Sequence, residues 1–294
     1  MKKIATFALL VGLLGFAQAD VGVYGKARMY EESSKVGSAD AVTALTNDSS
    51  RFGVKATESL GGGLTAGAVI ETGIAMDAPS ATTLGDRTSI VTLSNQRFTL
   101  GLGRDKHPIA RTLDNYDAMG NVYGSSAATI HAAQGSRTSN TIFVSGDVMP
   151  GLTVKYQMAN SEVAGVNNTQ AGSLEYAKGP MTGTIAMYDN GTTSASTVIG
   201  GKFVVRPGTT VFGMYSDDKV AGVQSKGKSI GVTHAVNGST TVLANYGSTD
   251  TGVSATNVGA TYNFNKAVML HARFTKESAT VDTSKMGVGV EYNF

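Results

Sequence analysis

The chain has 294 residues, a formal net charge of +2 at pH 7, no cysteine and no tryptophan. The absence of cysteine excludes a disulfide framework and a thiolate metal site. No stretch beyond the N-terminal segment reaches about 18 uninterrupted apolar residues, so the sequence predicts no membrane-spanning helix. A content of 37 glycines against 5 prolines favours many strands joined by tight turns.

The N-terminus has the three parts of a secretory signal peptide. Two lysines precede an apolar run of 13 residues, 4–16, and Ala17-Gln18-Ala19 supplies an A-x-A cleavage site. We therefore expect residues 1–19 to be removed and the mature chain to begin at Asp20. The removal takes away two lysines and no acid, which leaves 22 basic against 22 acidic side chains. A neutral mature chain gives no reason to expect binding to nucleic acid.

Alternation of apolar and polar residues with a period of two, bounded by turn residues, predicts sixteen strands. Their predicted ranges are 20–31, 50–58, 63–73, 86–94, 96–106, 137–147, 150–160, 169–178, 180–190, 196–205, 208–217, 226–235, 238–248, 254–263, 266–276 and 284–294.

Short and long connections alternate strictly between these strands. Seven are very short, namely 60–63, 94–96, 147–151, 178–180, 206–208, 236–238 and 263–266. The other eight are mostly longer and polar, such as 32–49, 74–85, 105–136 and 218–226. Short periplasmic turns, longer outer loops and an even strand number are typical of an outer-membrane barrel. The predicted fold is all-β: a transmembrane antiparallel β-barrel of about 16 strands over residues 20–294.

The two faces of the strands support a barrel. In the last strand Met286, Val288 and Val290 share one face, and Gly289 and Glu291 share the other. A soluble sandwich would alternate in the same way with its apolar face inward. Sixteen strands in one continuous hairpin order would, however, curl or close.

The interval 105–136 does not alternate and has no predicted regular structure. It is about 30 residues long, whereas most connections have about 4–6. Apolar residues occur throughout it, namely Ile109, Leu113, Tyr116, Met119, Val122, Tyr123 and Ile130. A loop with so many apolar side chains needs a surface to pack on, and in a closed barrel the inner wall is available. The sequence predicts that this third long loop folds into the lumen and narrows it.

Several segments resemble the trimeric, sixteen-stranded general-diffusion porins of Gram-negative bacteria. They are DVGVYGKA at the mature start, SSRFGVKATESLGGGLTAGAVIE (49–71), DRTSIVTLSNQRFTLGLGR (86–104), YDAMG (116–120), RTSNTIFVSGDVMPGLTVKYQMAN (137–160) and the terminal VGVEYNF. The middle strands match in pattern only.

The resemblance implies a water-filled outer-membrane channel for passive diffusion of ions and small hydrophilic solutes. It implies a homotrimer in contact with outer-membrane lipid and lipopolysaccharide. It also implies that Phe294 ends the signal read during membrane assembly, and that loop 105–136 forms a constriction. In the family, acids on this loop face arginines on the wall. The matching wall positions are Arg51, Arg87 and Arg137, and the matching loop acid is Asp117, with Asp114 nearby.

The charges at these positions predict a weak anion preference. After Asp117 no acid occurs until Asp147, so loop acids that many relatives carry are missing. By alternation Lys55 shares the lumenal face with Arg51, which adds a further positive charge. In the alternative, the arginines pair with lumenal acids and leave little net field. The candidate acids for this pairing are Glu58, Glu71 and Glu291.

Other chemistry finds little support in the sequence. The four histidines lack the spacing of a metal site. His131 lies in the long loop, either as a group that titrates near neutral pH or as a plain solvated side chain. No Ser/His or Asp/His constellation can be assembled, so we expect no enzyme, no catalytic residue and no cofactor. A substrate-selective channel is the main alternative, followed by a barrel that serves as an enzyme or an adhesin.

Overall fold

The computed structural model describes residues 19–79, 82–120, 125, 127–131 and 136–294. Residues 1–18 of the predicted signal peptide and the predicted loop residues Val122 and Tyr123 lie outside the described residues. Seventeen strand segments form one antiparallel sheet, and the first pairs with the last, so the sheet closes into a barrel.

The strands are β1 Asp20–Val36, β2 Val42–Asn47, β3 Arg51–Gly61, β4 Leu64–Gly73, β5 Thr88–Ser94, β6 Phe98–Lys106, β7 Arg137–Met149, β8 Leu152–Ala159, β9 Thr169–Lys178, β10 Met181–Asp189, β11 Ala195–Arg206, β12 Thr209–Val220, β13 Val223–Ala235, β14 Thr240–Thr249, β15 Ser254–Asn263, β16 Val268–Ser278 and β17 Thr283–Asn293. Two helices, α1 Pro108–Tyr116 and α2 Ala127–Ile130, lie between β6 and β7. Among the described residues, no helix has the length and apolar character needed to cross a membrane.

Segments β2 and β3 are two halves of one barrel strand, so the barrel has the predicted sixteen. Both pair with β1, which also pairs with β17 on its other edge. The interruption lies at 48–50, where Ser49 has a φ of +58°. The predicted loop 32–49 is therefore wrong for most of its length, because β1 continues to Val36 and β2 begins at Val42. The outer end of this hairpin carries many polar side chains, so the apolar–polar alternation that predicts a strand is weak there.

The barrel closes at the meeting of the two chain ends. The backbone N–H of Gly25 donates to the carbonyl oxygen of Phe294 at 2.9 Å, and the N–H of Phe294 donates back at 3.1 Å. The Phe294 ring lies over Gly25, where a Cβ would come within 2.2 Å of it. Gly25 thus leaves room for the terminal aromatic ring to lie flat on the first strand.

Apolar side chains point outward and polar ones inward, as the alternation predicts. Val288 is 59% exposed, whereas Glu291, on the opposite face of the same strand, is 4% exposed. Exposed apolar side chains around a closed barrel are the lipid-facing band of an outer-membrane protein. The same alternation places Glu58 on the outward face with Phe52 and Val54, so its assignment to the lumen is wrong.

The long connection between β6 and β7 contains regular structure that the sequence analysis missed. Helix α1 begins after His107, whose Nδ1 accepts a hydrogen bond from the Ala110 N–H at 3.3 Å, and Pro108 occupies its first turn. Proline has no backbone N–H, but at the first helical position this N–H would have no partner within the helix, so no hydrogen bond is lost. Helix α1 contacts β9 to β12, and α2 contacts β13 to β15. The loop folds inward as predicted, but as two helices against the far wall.

Candidate functional site

Apolar side chains hold α1 against the inner wall of the barrel. Ile109, Leu113 and Tyr116 pack with one residue from each of three successive strands, namely Ala186, Val198 and Met214. All six are at most 5% exposed. Burial of each large side chain contributes about 1.5–3 kcal/mol. The helix is therefore a fixed part of the lumen wall.

Glycines on the inward face of the wall make room for the loop. A Cβ would lie 2.4 Å from the Tyr116 ring at Gly200, 2.6 Å from Ala118 at Gly231 and 2.9 Å from Ile130 at Gly247. At Gly227 it would lie 2.1 Å from the carbonyl oxygen of Ile130. A larger residue at these positions would push the loop into the lumen. The series of glycines thus sets how closely the loop approaches the wall.

Hydrogen bonds anchor the second half of the loop. Asp117 is buried, and its Oδ1 accepts from Asn245 Nδ2 at 2.7 Å, while its Oδ2 accepts from Ser125 Oγ at 2.6 Å. These contacts place Asp117 at the β14 wall. The match to a family motif identified Asp117 as an acid of the loop; here its hydrogen bonds come from neutral groups that position the loop, and Arg273 of β16 is an electrostatic neighbour.

His131 is a second anchor. Its Nδ1 lies 2.9 Å from Ser216 Oγ and its Nε2 lies 2.8 Å from Ser229 Oγ, and the side chain has no exposed surface. Burial lowers the pKa of His131 to about 4. Both interpretations of His131, as a group that titrates near neutral pH and as a solvated side chain, are therefore wrong. No local pattern around His131 indicates that two strands would offer hydroxyl groups to its ring.

Three predicted arginines meet at one carboxylate. Arg87 Nε lies 2.7 Å from Glu71 Oε1, Arg51 Nε lies 3.3 Å from Glu71 Oε2, and Arg137 Nη2 lies 3.9 Å from Glu71 Oε1. Tyr24 donates its hydroxyl proton to Glu71 Oε2 at 3.2 Å. Glu71 and the three arginines come from β3, β4, β7 and the segment before β5. Alternation places a residue on the inner face but does not determine its height along the barrel axis, so alternation alone could not predict that the four would meet. We call Glu71 and these three arginines the arginine cluster.

Helix α1 carries the loop acid nearest to the arginine cluster. Asp114 pairs with Lys106, at the end of β6, and is also an electrostatic neighbour of Arg137. Lys106 was not predicted as a site residue because the register shifts between Gly103 and Asp105, which breaks the alternation. Of the two predicted loop acids, Asp114 lies at the arginine cluster and Asp117 lies at the β14 wall.

Besides Asp114, helix α1 carries a positive charge at Arg111. Arg111 Nη2 lies 2.7 Å from Asp105, and Lys155 of β8 lies 3.0 Å from the same carboxylate. The Arg111 side chain is 47% exposed, whereas that of Asp105 is 3% exposed. The lumen therefore meets Arg111 rather than the buried carboxylate of Asp105 that holds it.

Lys55 points inward but lies away from the arginine cluster. Its side chain passes over Gly22 of β1, and its Cα pairs with that of Val69. Four residues separate it from Arg51, which is about 13 Å along a strand. Lys55 thus lines the lumen toward the short-turn end.

A second charged group spans the seam of the barrel. Arg28 of β1 pairs with Glu291 of β17, Lys26 Nζ lies 2.8 Å from Glu291 Oε1, and Arg28 Nη1 lies 3.0 Å from Asp48 Oδ2. All three residues lie on the lumenal face, as the sequence predicts for Glu291. Their pairing required the closed register and was not predicted.

A closed, sixteen-stranded barrel with an apolar exterior, a charged lumen and a loop folded inside defines the class of outer-membrane channels. The model of the Gram-negative porin family matches residues 5–294, and the chain belongs to this family. It is an outer-membrane protein that forms a channel for passive diffusion. No curated protein sequence matches the chain significantly.

Solved porin structures share the fold. The anion-selective porin from Comamonas acidovorans superposes with a TM-score of 0.83 at 20% identity, covering 94% of this chain and all of that one. OmpT of Vibrio cholerae, folded in vitro and described as a trimer form, gives 0.74 at 13% identity, covering 94% and 99%. Salmonella typhi OmpF, in complex with daunomycin, gives 0.74 at 15% identity, covering 93% and 97%.

Proposed function

We propose that the arginine cluster and the facing part of α1 form the constriction of the pore and give it a weak preference for anions. Arg51, Arg87 and Arg137 are the selecting wall residues, and Asp114 is the acid of the loop that faces them. The single observation that carries the proposal is the ratio of three arginines to one carboxylate at Glu71.

Pairing reduces the field of this cluster without cancelling it. Glu71 neutralises one positive charge of three, and Asp114 is matched by Lys106. Arg111 adds an exposed cation nearby. Fixed charges along a narrow aqueous path raise the local concentration of the opposite ion. The alternative of complete pairing, with little net field, would require more acids than these contacts supply.

The assembly is proposed to be a homotrimer in the outer membrane of a Gram-negative bacterium, after removal of residues 1–19 by signal peptidase. Support comes from the likeness to OmpT of Vibrio cholerae, which is described in a trimer form. Contact with outer-membrane lipid and lipopolysaccharide fits the exposed apolar exterior. Phe294, paired with Gly25 at the seam, is the proposed end of the assembly signal.

The test is the reversal potential of the refolded protein in a planar bilayer with a KCl gradient. We expect conductance steps in groups of three and a potential displaced toward the chloride equilibrium value. Arg87→Gln should shift the potential toward potassium, and Arg206→Gln, at a short turn, should not. A wild-type potential equal to the potassium equilibrium value would overturn the anion preference.

A further inference from the structure

Three lysines form a patch on the outward face of the barrel at the end that carries the longer loops. Lys219 lies on β12, and Lys226 and Lys228 lie on β13. All three are exposed. Their direction follows from their neighbours, because Ser216, Gly227 and Ser229 face inward against His131 and Ile130. We call Lys219, Lys226 and Lys228 the lysine patch.

The patch lies directly beyond the lipid-facing band. Lys228 pairs across the strands with Tyr215, and the next outward residue of β13 is Ile230, which is 60% exposed. Tyr246 pairs with Ile230 and is 50% exposed. Tyrosines at the end of an apolar band mark the interface between hydrocarbon and headgroups. The ammonium groups of the patch therefore lie at the level of the lipid headgroups of the outer leaflet.

A shallow cavity between β12 and β14 gives the patch a concave shape. Its volume is about 250 Å³, and it is lined by Tyr215, Lys226, Lys228, Ser248 and Asp250, among others. One Asp250 carboxylate oxygen accepts the backbone N–H of Lys226 at 2.8 Å. Lys226 Nζ lies 3.9 Å from Asp217, and both side chains are more than a third exposed, so this ion pair is weak.

Outward charges at the same end of the other described strands are farther apart. Lys35 of β1 and Lys276 of β16 each pair with Ser284 of β17, so one whole strand separates them. Glu31 of β1 and Asp189 of β10 have apolar or neutral residues on the adjacent strands. Arg104 on β6 uses its guanidinium to bind the Asp86 carbonyl and Ser139. Among the described strands, clustered lysines at this level thus distinguish β12 and β13.

We propose that the lysine patch binds the phosphate-bearing headgroup of an outer-leaflet lipid, with the acyl chains lying along Tyr215 and Ile230. Lysine binds phosphate as a point charge, and its alkyl stem covers apolar surface while its ammonium group reaches the interface. Ser248 offers a hydroxyl donor in the same cavity. The proposal rests on the proposed contact with outer-membrane lipid and is independent of the channel's ion preference.

The test measures lipid retention by the refolded protein in detergent, using native mass spectrometry and bisphosphorylated lipid A as the probe. The variant Lys226→Gln with Lys228→Gln should bind this lipid about thirtyfold more weakly, since each lysine near an anionic surface contributes about fivefold. The matched control, Lys35→Gln with Lys276→Gln, removes two outward lysines at the same end and should bind within about threefold of wild type. Dephosphorylated lipid A should bind all three proteins equally.

Each other outcome overturns the proposal. Equal binding of bisphosphorylated lipid A by wild type and the patch variant would show that the patch does not hold the phosphate. An equal loss in the control variant would indicate general surface charge. Complete displacement of the lipid by inorganic phosphate would mean that the patch binds phosphate without regard to the lipid. Single-channel conductance of the patch variant should stay at the wild-type value, so a failure of the channel proposal would be seen separately.

Discussion

Glu71→Gln isolates the charge balance of the proposed constriction. The change removes the carboxylate that Arg51, Arg87 and Arg137 share, and glutamine keeps the size and the hydrogen-bonding acceptor. A unit charge about 6 Å from the path of an ion contributes about 0.7 kcal/mol in water. Screening at 0.1 M salt, where the Debye length is about 10 Å, reduces this to about 0.4 kcal/mol. Because chloride and potassium respond in opposite directions, the permeability ratio should rise about fourfold in favour of chloride.

The assay is the reversal potential in a KCl gradient, measured at about 0.1 M mean salt and again at about 1 M, where screening should remove most of the change. Glu58→Gln is the matched control, because it removes the same charge from the outward face of β3. Retention of the heat-stable folded form on a gel would show that both variants fold. An unchanged potential in Glu71→Gln at low salt, or a shift toward potassium, would refute the placement of the arginine cluster at the constriction.

Two further predictions concern how the inner loop is held against the barrel wall. Gly227→Ala places a Cβ at 2.1 Å from the Ile130 carbonyl oxygen and should displace the loop, which would alter the conductance and increase the current noise. Gly213→Ala, on the outward face of β12, puts a Cβ 3.9 Å from its nearest neighbour and should leave conductance and current noise unchanged. If the two variants behave alike, the glycine does not set the position of the loop. Because burial lowers the pKa of His131 to about 4, its neutral imidazole stabilises the docked loop fully above pH 6.5. As the pH falls from 6.5 toward 4, the free energy of unfolding should decrease by about 3 kcal/mol in all. The urea midpoint of unfolding should therefore fall between pH 6.5 and 4 in wild type and fall less in His131→Asn, whereas parallel curves for the two proteins would contradict this account.

The barrel and its two faces could be predicted from the sequence because they depend on local rules. Side chains alternate between the two faces of a strand with a period of two, so Met286 and Glu291 fall on opposite faces wherever the strand lies. Turn residues mark the ends, as at Gly61, Gly62 and Gly63, which all adopt positive φ values between +60° and +82°. These signals weakened where polar side chains filled both faces, as at 31–35 in the outer half of β1.

The inward position of the loop was predicted from the sequence, but its two helices were not. Its apolar residues indicated that it must pack on a surface, and Ile109, Leu113 and Tyr116 do so. Their spacing of four and three residues is also that of a helix face, which was the available signal for α1. Asp117 and His131 gave no comparable signal, because their roles depend on Asn245, Ser216 and Ser229 from distant strands.

The sequence by itself determined the class of fold, the strand number and the face of strand residues wherever the alternation is unbroken. Only the tertiary structure decided which charges meet, because alternation fixes the face of a residue but not its height or its position around the barrel. Arg28 and Glu291 are 263 residues apart and pair through the register at the seam. Arg51, Arg87 and Arg137 reach the same carboxylate only because the register of the strands between β3 and β7 brings them to a common height.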